Sequence, residues 1–317
     1  MSKNKAKKNN IGIFKKLTLI IIFLLCFVVA IGLMFHRQIL EAYNKFKKDK
    51  DISAELTELN NGENPEKLLQ VHFIDVGQGD ATLITYDGHA MLIDGGDNSK
   101  GTAIQKYLMD NGIEKLDYVI GTHPDADHIG GLDVIIYKFN CDNIIMPDVG
   151  KDTKSYEDLI MSIEEKDYEI INPNKDMKFY MGDVEFTVLS PDKDKSYEDI
   201  NDYSIVLRME YKDISFIFAG DAGKLVMEDI LTKDVELDCD VYKVAHHGSA
   251  DSYCEDFYNK MSPAYMIISC GKDNDYNHPH KEITDYIDKN NIITYRTDQN
   301  GDIVAYTDGE KIAWITE

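Results

Sequence analysis

The sequence predicts an α/β domain of two sheets sandwiched between helices, preceded by one N-terminal transmembrane helix. Three features predict it. Strand and helix patterns mingle in both halves of residues 69–317, the signature of sheets covered by helices. Six of the nine histidines fall in three tight clusters, each just after a strand pattern or in a nearby loop. Residues 17–34, LTLIIIFLLCFVVAIGLM, are eighteen in a row without a charge.

The uncharged run is taken first because it divides the chain. Extended through Phe35 it reaches nineteen residues, close to the roughly 20 needed to cross a bilayer. Lys3, Lys5, Lys7, Lys8, Lys15 and Lys16 precede it and no acidic residue does. The positive-inside rule then places residues 1–16 in the cytoplasm and everything after Phe35 outside, as a single-pass cell-membrane protein. A cleaved signal peptide would have an apolar core of roughly 7–15 residues followed by a small-x-small site. Here the core is longer, and Ala30-Ile31-Gly32 lies inside it. Residues 36–68 read as a polar stalk, broken at Asn60-Asn61-Gly62 and Pro65. The folded domain is expected over 69–317.

Within that domain LQVHFIDV, ATLITY and AMLIDGG read as strands, each closed by Gly or Asp. TAIQKYLMDNG is a helix stopped by Gly112. LDYVIGTH is a strand, and a helix is expected to open near His128. SYEDLIMSIEEKD is helical, EFTVLSP a strand, and DYSIVLRMEYKDISFIFAGD a hairpin turning at Lys212-Asp213. AGKLVMEDILTKD is helical, DVYKVAHHGS a strand running into a loop, AYMIISCG a strand and HKEITDYIDKNN a helix. The tail returns to β structure with turns at Asn300-Gly301 and Asp308-Gly309.

Composition narrows the function classes. With 43% hydrophobic and 29% charged residues the chain is an ordinary folded protein, not a disordered one. Residues 1–50 hold 11 of the 34 basic residues and 2 of the 57 acidic ones, leaving 23 basic against 55 acidic, a net charge of −32. Such a domain repels polyanions unless a cation intervenes, which weighs against metal-independent nucleic-acid binding. Cys141, Cys239, Cys254 and Cys270 include no CxxC pair, so no zinc knuckle is signalled. Their spacing leaves disulfides and buried thiols equally open.

Chemistry concentrates in Thr122-His123-Pro124-Asp125-Ala126-Asp127-His128, four potential ligands within six residues at a strand-to-helix turn. Pro124 stiffens the turn, and Gly130-Gly131 let other backbone pass close by. Neighbours in so tight a loop point in different directions and can supply two adjacent metals. HPDADHIGG resembles the HxHxDH metal motif of the metallo-β-lactamase superfamily. More narrowly, IDVGQGDATLI (74–84), MLIDGG (91–96), the N-x-x-S pattern at Asn201 and Ser204, FAGD (218–221), KVAHHGS (243–249), Asn277-His278-Pro279 and the closing YRTDQNGDIVAYTDG resemble the hydrolase domain of ComEC-type DNA-uptake proteins. Two departures stand out. Asp125 occupies the place of a second histidine in many superfamily members, and no histidine lies between His128 and His246. The multi-span channel of the uptake proteins is also missing from the sequence given, so no transport role is carried over.

The resemblance implies the αββα sandwich of that superfamily and a ligand set of His123, Asp125, Asp127, His128, Asp221 and His246 or His247, with a slight lean to His246. Asp221 matches the metal-bridging carboxylate. Asp127, Asp221 and His278 are the catalytic candidates, His278 as substrate contact or proton donor. Asp94 is expected to orient the histidine loop, and Asp75, Gln78 and Asp80 to border the cleft. His36, His72, His89 and His280 read as ordinary surface or core residues. Two divalent ions are implied, zinc by superfamily habit or manganese because of the extra carboxylates, acting through a bridging hydroxide. The expected activity is a phosphodiesterase or nuclease on single-stranded DNA. A small envelope ester or phosphoester is the alternative substrate, and a non-catalytic metal-binding surface module the third reading. The membrane is the expected association through the anchor, and no protein partner is expected.

Overall fold

A computed structural model describes Leu59 and residues 68–316. Among the described residues no helix is long and apolar enough to cross a membrane. The expected span at 17–35 and all of the stalk except Leu59 and Leu68 lie outside them.

Two sheets form the centre. The first runs β15-β14-β1-β2-β3-β4-β5-β6, and the second β13-β12-β11-β10-β9-β8-β7. The first sheet comprises β1 (Leu69–Phe73), β2 (Thr82–Tyr86), β3 (His89–Ile93), β4 (Lys115–Ile120), β5 (Asn140–Ile145), β6 (Ile170–Ile171), β14 (Ile303–Thr307) and β15 (Ile312–Thr316). The second comprises β7 (Lys178–Met181), β8 (Val184–Ser190), β9 (Val206–Tyr211), β10 (Ile214–Phe218), β11 (Val241–Lys243), β12 (Tyr265–Ile268) and β13 (Ile293–Arg296). Each sheet changes from antiparallel to parallel pairing part-way across, at β3 in the first and β10 in the second.

Period-two alternation assigns the faces. Met91 and Ile93 of β3 enter the core between the sheets, while Ala90 and Leu92 face outward. Phe216 and Phe218 of β10 point inward and Ile217 outward. The outer face of the first sheet is covered by α1 (Gly101–Asp110), α3 (Leu132–Lys138) and α4 (Lys154–Glu165), through residues such as Ile104, Leu108, Ile135 and Leu159. The second sheet is covered by α5 (Lys224–Leu231), α6 (Glu255–Met261) and α7 (Lys281–Asn290), through Val226, Ile230, Phe257, Tyr258 and Ile283. The short α2 (Ala126–Ile129) and α8 (Thr297–Asn300) serve as turns. This is the expected αββα sandwich.

The hairpin turn at Lys212-Asp213 and the strands of the tail lie where the pattern places them. Five elements carry no clear signal in sequence: β5 is polar at its start, β6 and β7 have two and four residues, α6 has seven, and α8 interrupts the β tail. Cys141, Cys239, Cys254 and Cys270 are free and buried, which decides between the two readings of their spacing.

His72 on β1 is 3% exposed, its ring nitrogens placed against the Tyr107 hydroxyl at 2.9 Å and Gln70 Oε1 at 3.2 Å. One neutral tautomer satisfies both contacts, and burial lowers its pKa to about 4. The unfolded chain therefore takes up a proton near pH 6.5 that the folded chain refuses until about pH 4. Stability from this residue is full above pH 6.5 and falls as pH drops toward 4. Denaturation midpoints of His72→Gln should decline less than those of wild type between pH 7 and 5; parallel declines would show that His72 is not held neutral.

Candidate metal centre

The site residues arrive from the C-terminal ends of neighbouring strands, where loops leave a rigid sheet. β3 delivers Asp94, β4 the loop 121–128, β10 Asp221, β11 the pair His246 and His247, and β12 the segment toward His278. The loop after β1 closes over them. Gly79, with φ +133°, is required there, because a Cβ at this position would sit 2.3 Å from the Asp127 carbonyl oxygen. The next amide, Asp80 N, donates to that same carbonyl at 3.1 Å.

Asp94 is hydrogen-bonded to the histidine loop. Its carboxylate accepts from Thr122 N and Thr122 Oγ1, each at 2.8 Å, and lies 2.8 Å from His128 Nδ1. His128 thus donates through Nδ1 and leaves the Nε2 lone pair free. His247 is held likewise, with Nδ1 3.0 Å from the Ser269 carbonyl oxygen. The two free Nε2 atoms face each other at 3.3 Å. Around them lie Asp221 Oδ1, 3.0 Å from His128 Nε2, and Asp127 Oδ2, 3.3 Å from His247 Nε2.

The other oxygen of Asp221 faces three imidazoles. Its Oδ2 is 3.9 Å from His123 Nε2, 3.6 Å from His246 Nε2 and 3.7 Å from His247 Nε2. His123 is fully buried, and its Nε2 has no hydrogen-bond partner. Asp221 is therefore in contact with all four imidazoles, His128 at one carboxylate oxygen and His123, His246 and His247 at the other.

The donors suit a divalent cation. Asp80, His128, Asp221 and His247 are all buried and offer ligand atoms within 4.8 Å of one another. Two opposed imidazole lone pairs and an orphaned third nitrogen need an electrophile, and a metal ligates the deprotonated forms of these groups. Without one, protons act as the electrophile. Burial opposes charge on His128, but Asp221 and Asp94 outweigh it and hold its pKa well above normal. Burial likewise opposes ionisation of Asp221, yet His128 and His247 keep it well below the usual carboxylate range. His123 behaves oppositely: burial and the neighbouring His128 lower it to about 4.

Several sequence expectations are revised. The lean toward His246 is reversed: His247 is 1% exposed with Nε2 at the centre, whereas the His246 side chain is 24% exposed at the rim. The backbone explains the order. His246, His247 and Gly248 all adopt left-handed conformations, with φ of 51°, 55° and 85°, so the chain turns sharply and drives the second histidine inward. Asp125 is engaged elsewhere: its carboxylate pairs with Lys151 Nζ at 2.6 Å. Asp75 and Gln78 act as joints: Asp75 Oδ1 accepts from Gly77 N, and Gln78 Oε1 accepts from Gly271 N. Asp80 is tied to Lys243 Nζ, 2.8 Å from each carboxylate oxygen. His278 is 8% exposed with an unpartnered Nδ1, its ring 5.7 Å from that of His246 and 6.2 Å from that of His247. Sequence reasoning missed Lys243, the buried cation of the site. Its one signal was a lysine within the apolar strand VYKVA.

Residues 74–272 match the family model of the metallo-β-lactamase superfamily. The chain belongs to the metallo-β-lactamase superfamily. Members of this superfamily are in general metal-dependent hydrolases. The chain is 30% identical over 252 residues to ComE operon protein 3 of Bacillus subtilis, covering 74% of this chain and 32% of that protein. It is 29% identical over 247 residues to competence protein ComA of Neisseria gonorrhoeae, covering 75% and 32%. The chain thus spans about a third of the length of these curated relatives. Among solved structures it is similar to the metallo-β-lactamase fold protein YhfI of Bacillus subtilis, with TM-score 0.45, 13% identity and coverage of 73% and 96%.

The geometry ranks the ligands. Asp94→Asn removes the anionic acceptor that fixes His128, and such partners change metal affinity by about 10- to 100-fold. Equilibrium dialysis of the full chain against zinc or manganese should show that loss. His247→Ala should weaken binding more than His246→Ala. The reverse order would place the wrong histidine at the centre.

Proposed function

We propose that this chain is a membrane-anchored, extracytoplasmic, metal-dependent phosphodiesterase that cuts single-stranded DNA. The observation that supports it most is the convergence of four imidazoles, three of them buried, on the carboxylate of Asp221 at the C-terminal ends of the strands. A pair of divalent cations held by His123, Asp127, His128, Asp221, His246 and His247 would activate water at neutral pH and offset negative charge in the transition state. The carboxylates of this set favour manganese alongside zinc.

The protein's own groups supply position and proton control. Asp94 and the Ser269 carbonyl fix the tautomers of His128 and His247, so both rings present Nε2 without rearrangement. Burial, with His247 and His246 close by, lowers the pKa of His278 to about 4. His278 is then neutral at pH 7 and suits substrate contact better than proton donation. The DNA reading draws on the curated relatives, which are named as competence and recombination proteins.

One observation favours the alternative, a small envelope phosphoester. A cavity of about 450 Å³ beside Asp221 and His246 is lined by Glu198, Asp199, Asp202 and Asp251, with Lys224 as the cation on its wall. Such a wall suits a compact ester better than a polyanion. Both substrates need the same cations, and they separate by experiment.

The full chain with added manganese or zinc should hydrolyse a bis-aryl phosphodiester and cut single-stranded DNA. Asp221→Ala should lose about 100-fold or more in turnover while staying folded. Undiminished turnover would remove Asp221 from the mechanism, and cleavage of the aryl diester without DNA would move the function to the small phosphoester. Topology rests on the uncharged run at 17–34 and the lysines before it. A tag after Glu317 should be protease-accessible on intact cells, with the chain in the membrane fraction. A soluble form starting near residue 35 would restore the signal-peptide reading.

A further inference from the structure

A stack of rings leads from solvent to the metal centre. Tyr276 is 61% exposed, and its ring lies on His278 at 5.5 Å and 23° between planes. His278 in turn lies 6.2 Å and 29° from His247, whose Nε2 belongs to the central cluster. The three rings form a near-parallel ladder with its outermost rung open to solvent.

The loop that carries the ladder is pinned through its backbone. Asn274 Nδ2 donates to the carbonyls of Gly271 and His278 at 2.9 and 2.8 Å, and His278 N donates back to Asn274 Oδ1 at 2.9 Å. His280 Nδ1 accepts from Ala250 N at 2.9 Å, so its Nε2–H is the donor to the Tyr276 carbonyl at 3.1 Å. These bonds fasten the Tyr276 loop to the segment just after His246 and His247. Other exposed tyrosines are explained by local packing. Tyr137 has Lys138 and Lys166 near its ring, and Tyr180 donates its hydroxyl to Glu185 on the adjoining strand. Tyr276 presents a preformed aromatic face at the site mouth, where ordering it on binding costs little entropy.

We propose that Tyr276 is the stacking platform for a nucleobase next to the scissile phosphodiester, which makes nucleotide diesters the preferred substrate class. This rests on the phosphodiesterase reading above. Charge adds weight for a nucleic-acid substrate: beyond residue 50 the chain has net charge −32, so the general field of the domain opposes a polyanion. Stacking on a neutral ring supplies attraction that this charge does not oppose, and it tolerates any base because every base has a π face.

Two diesters with the same leaving group test it: the para-nitrophenyl phosphodiester of thymidine and methyl para-nitrophenyl phosphate, each with manganese or zinc and the full chain. The ratio of their kcat/KM values isolates the base. In wild type the thymidine diester should be preferred by about 5- to 150-fold, mostly through KM. Tyr276→Phe and Tyr276→Trp should keep the preference, and Tyr276→Ala should bring the ratio near one. A wild-type ratio near one, or an unchanged ratio in Tyr276→Ala, overturns the stacking platform and leaves the phosphodiesterase standing. Cleavage of neither diester overturns both.

Discussion

The contact on which the site depends is the carboxylate of Asp94 against the loop that follows β4. Asp94 sits at the end of β3 with φ 60°, a conformation that aspartate tolerates better than most residues. From there it takes the Thr122 amide, the Thr122 hydroxyl and the His128 ring at once. The first two bonds lock the loop and the third selects a tautomer. If His128 carried its proton on Nε2 instead, it would present a donor where a lone pair is needed. The parallel pairing of β3 with β4 sets this contact, because it brings the two strand ends side by side.

The site is also a problem in buried charge. Asp80, Asp94 and Asp221 are each no more than 5% exposed, and isolated charges in such a place are costly. Lys243 answers one of them, gripping Asp80 from β11. Asp94 has neutral donors and a histidine, whereas Asp221 has the imidazoles around it. The left-handed run at His246, His247 and Gly248 adds strain of about 1–3 kcal/mol for each of the two histidines. Strain and buried carboxylates together mark a surface shaped for a cation, not for the stability of the sandwich.

The sandwich itself was legible because its strands are short apolar runs bounded by glycine and aspartate, the pattern of sheets covered on both faces, separated by amphipathic helical stretches. Such runs report that both faces are covered but not which face is inward, so the placing of Met91, Ile93, Phe216 and Phe218 between the sheets came only with the structure. The site was legible as a set and not as a geometry. Adjacent histidines cannot be ranked without the backbone angles between them, which is why His247 was hidden behind His246. Asp125 looked like a ligand because its partner, Lys151, is 26 residues further on. Lys243 gave a weak signal for a related reason: in sequence, a lysine in a strand reads as solvent-facing, and only Asp80, 163 residues away, makes it a buried cation.

Charge then decides what kind of binding such a protein can use. Proteins that track nucleic acid by lysine and arginine lose affinity steeply with salt, since each phosphate contact releases counterions. An acidic domain has no such reserve, and the cavity wall at Glu198, Asp199, Asp202 and Asp251 deepens the deficit beside the centre itself. Attraction must come from elements that are strong at short range and indifferent to the distant field. A divalent cation beside Asp221 would be one, and under the stacking proposal the aromatic face of Tyr276 would be another. Both reward a substrate able to place one phosphate and one neighbouring ring in a fixed relation. A flexible strand end or a small nucleotide diester meets that demand, whereas a stiff duplex meets the acidic surface first.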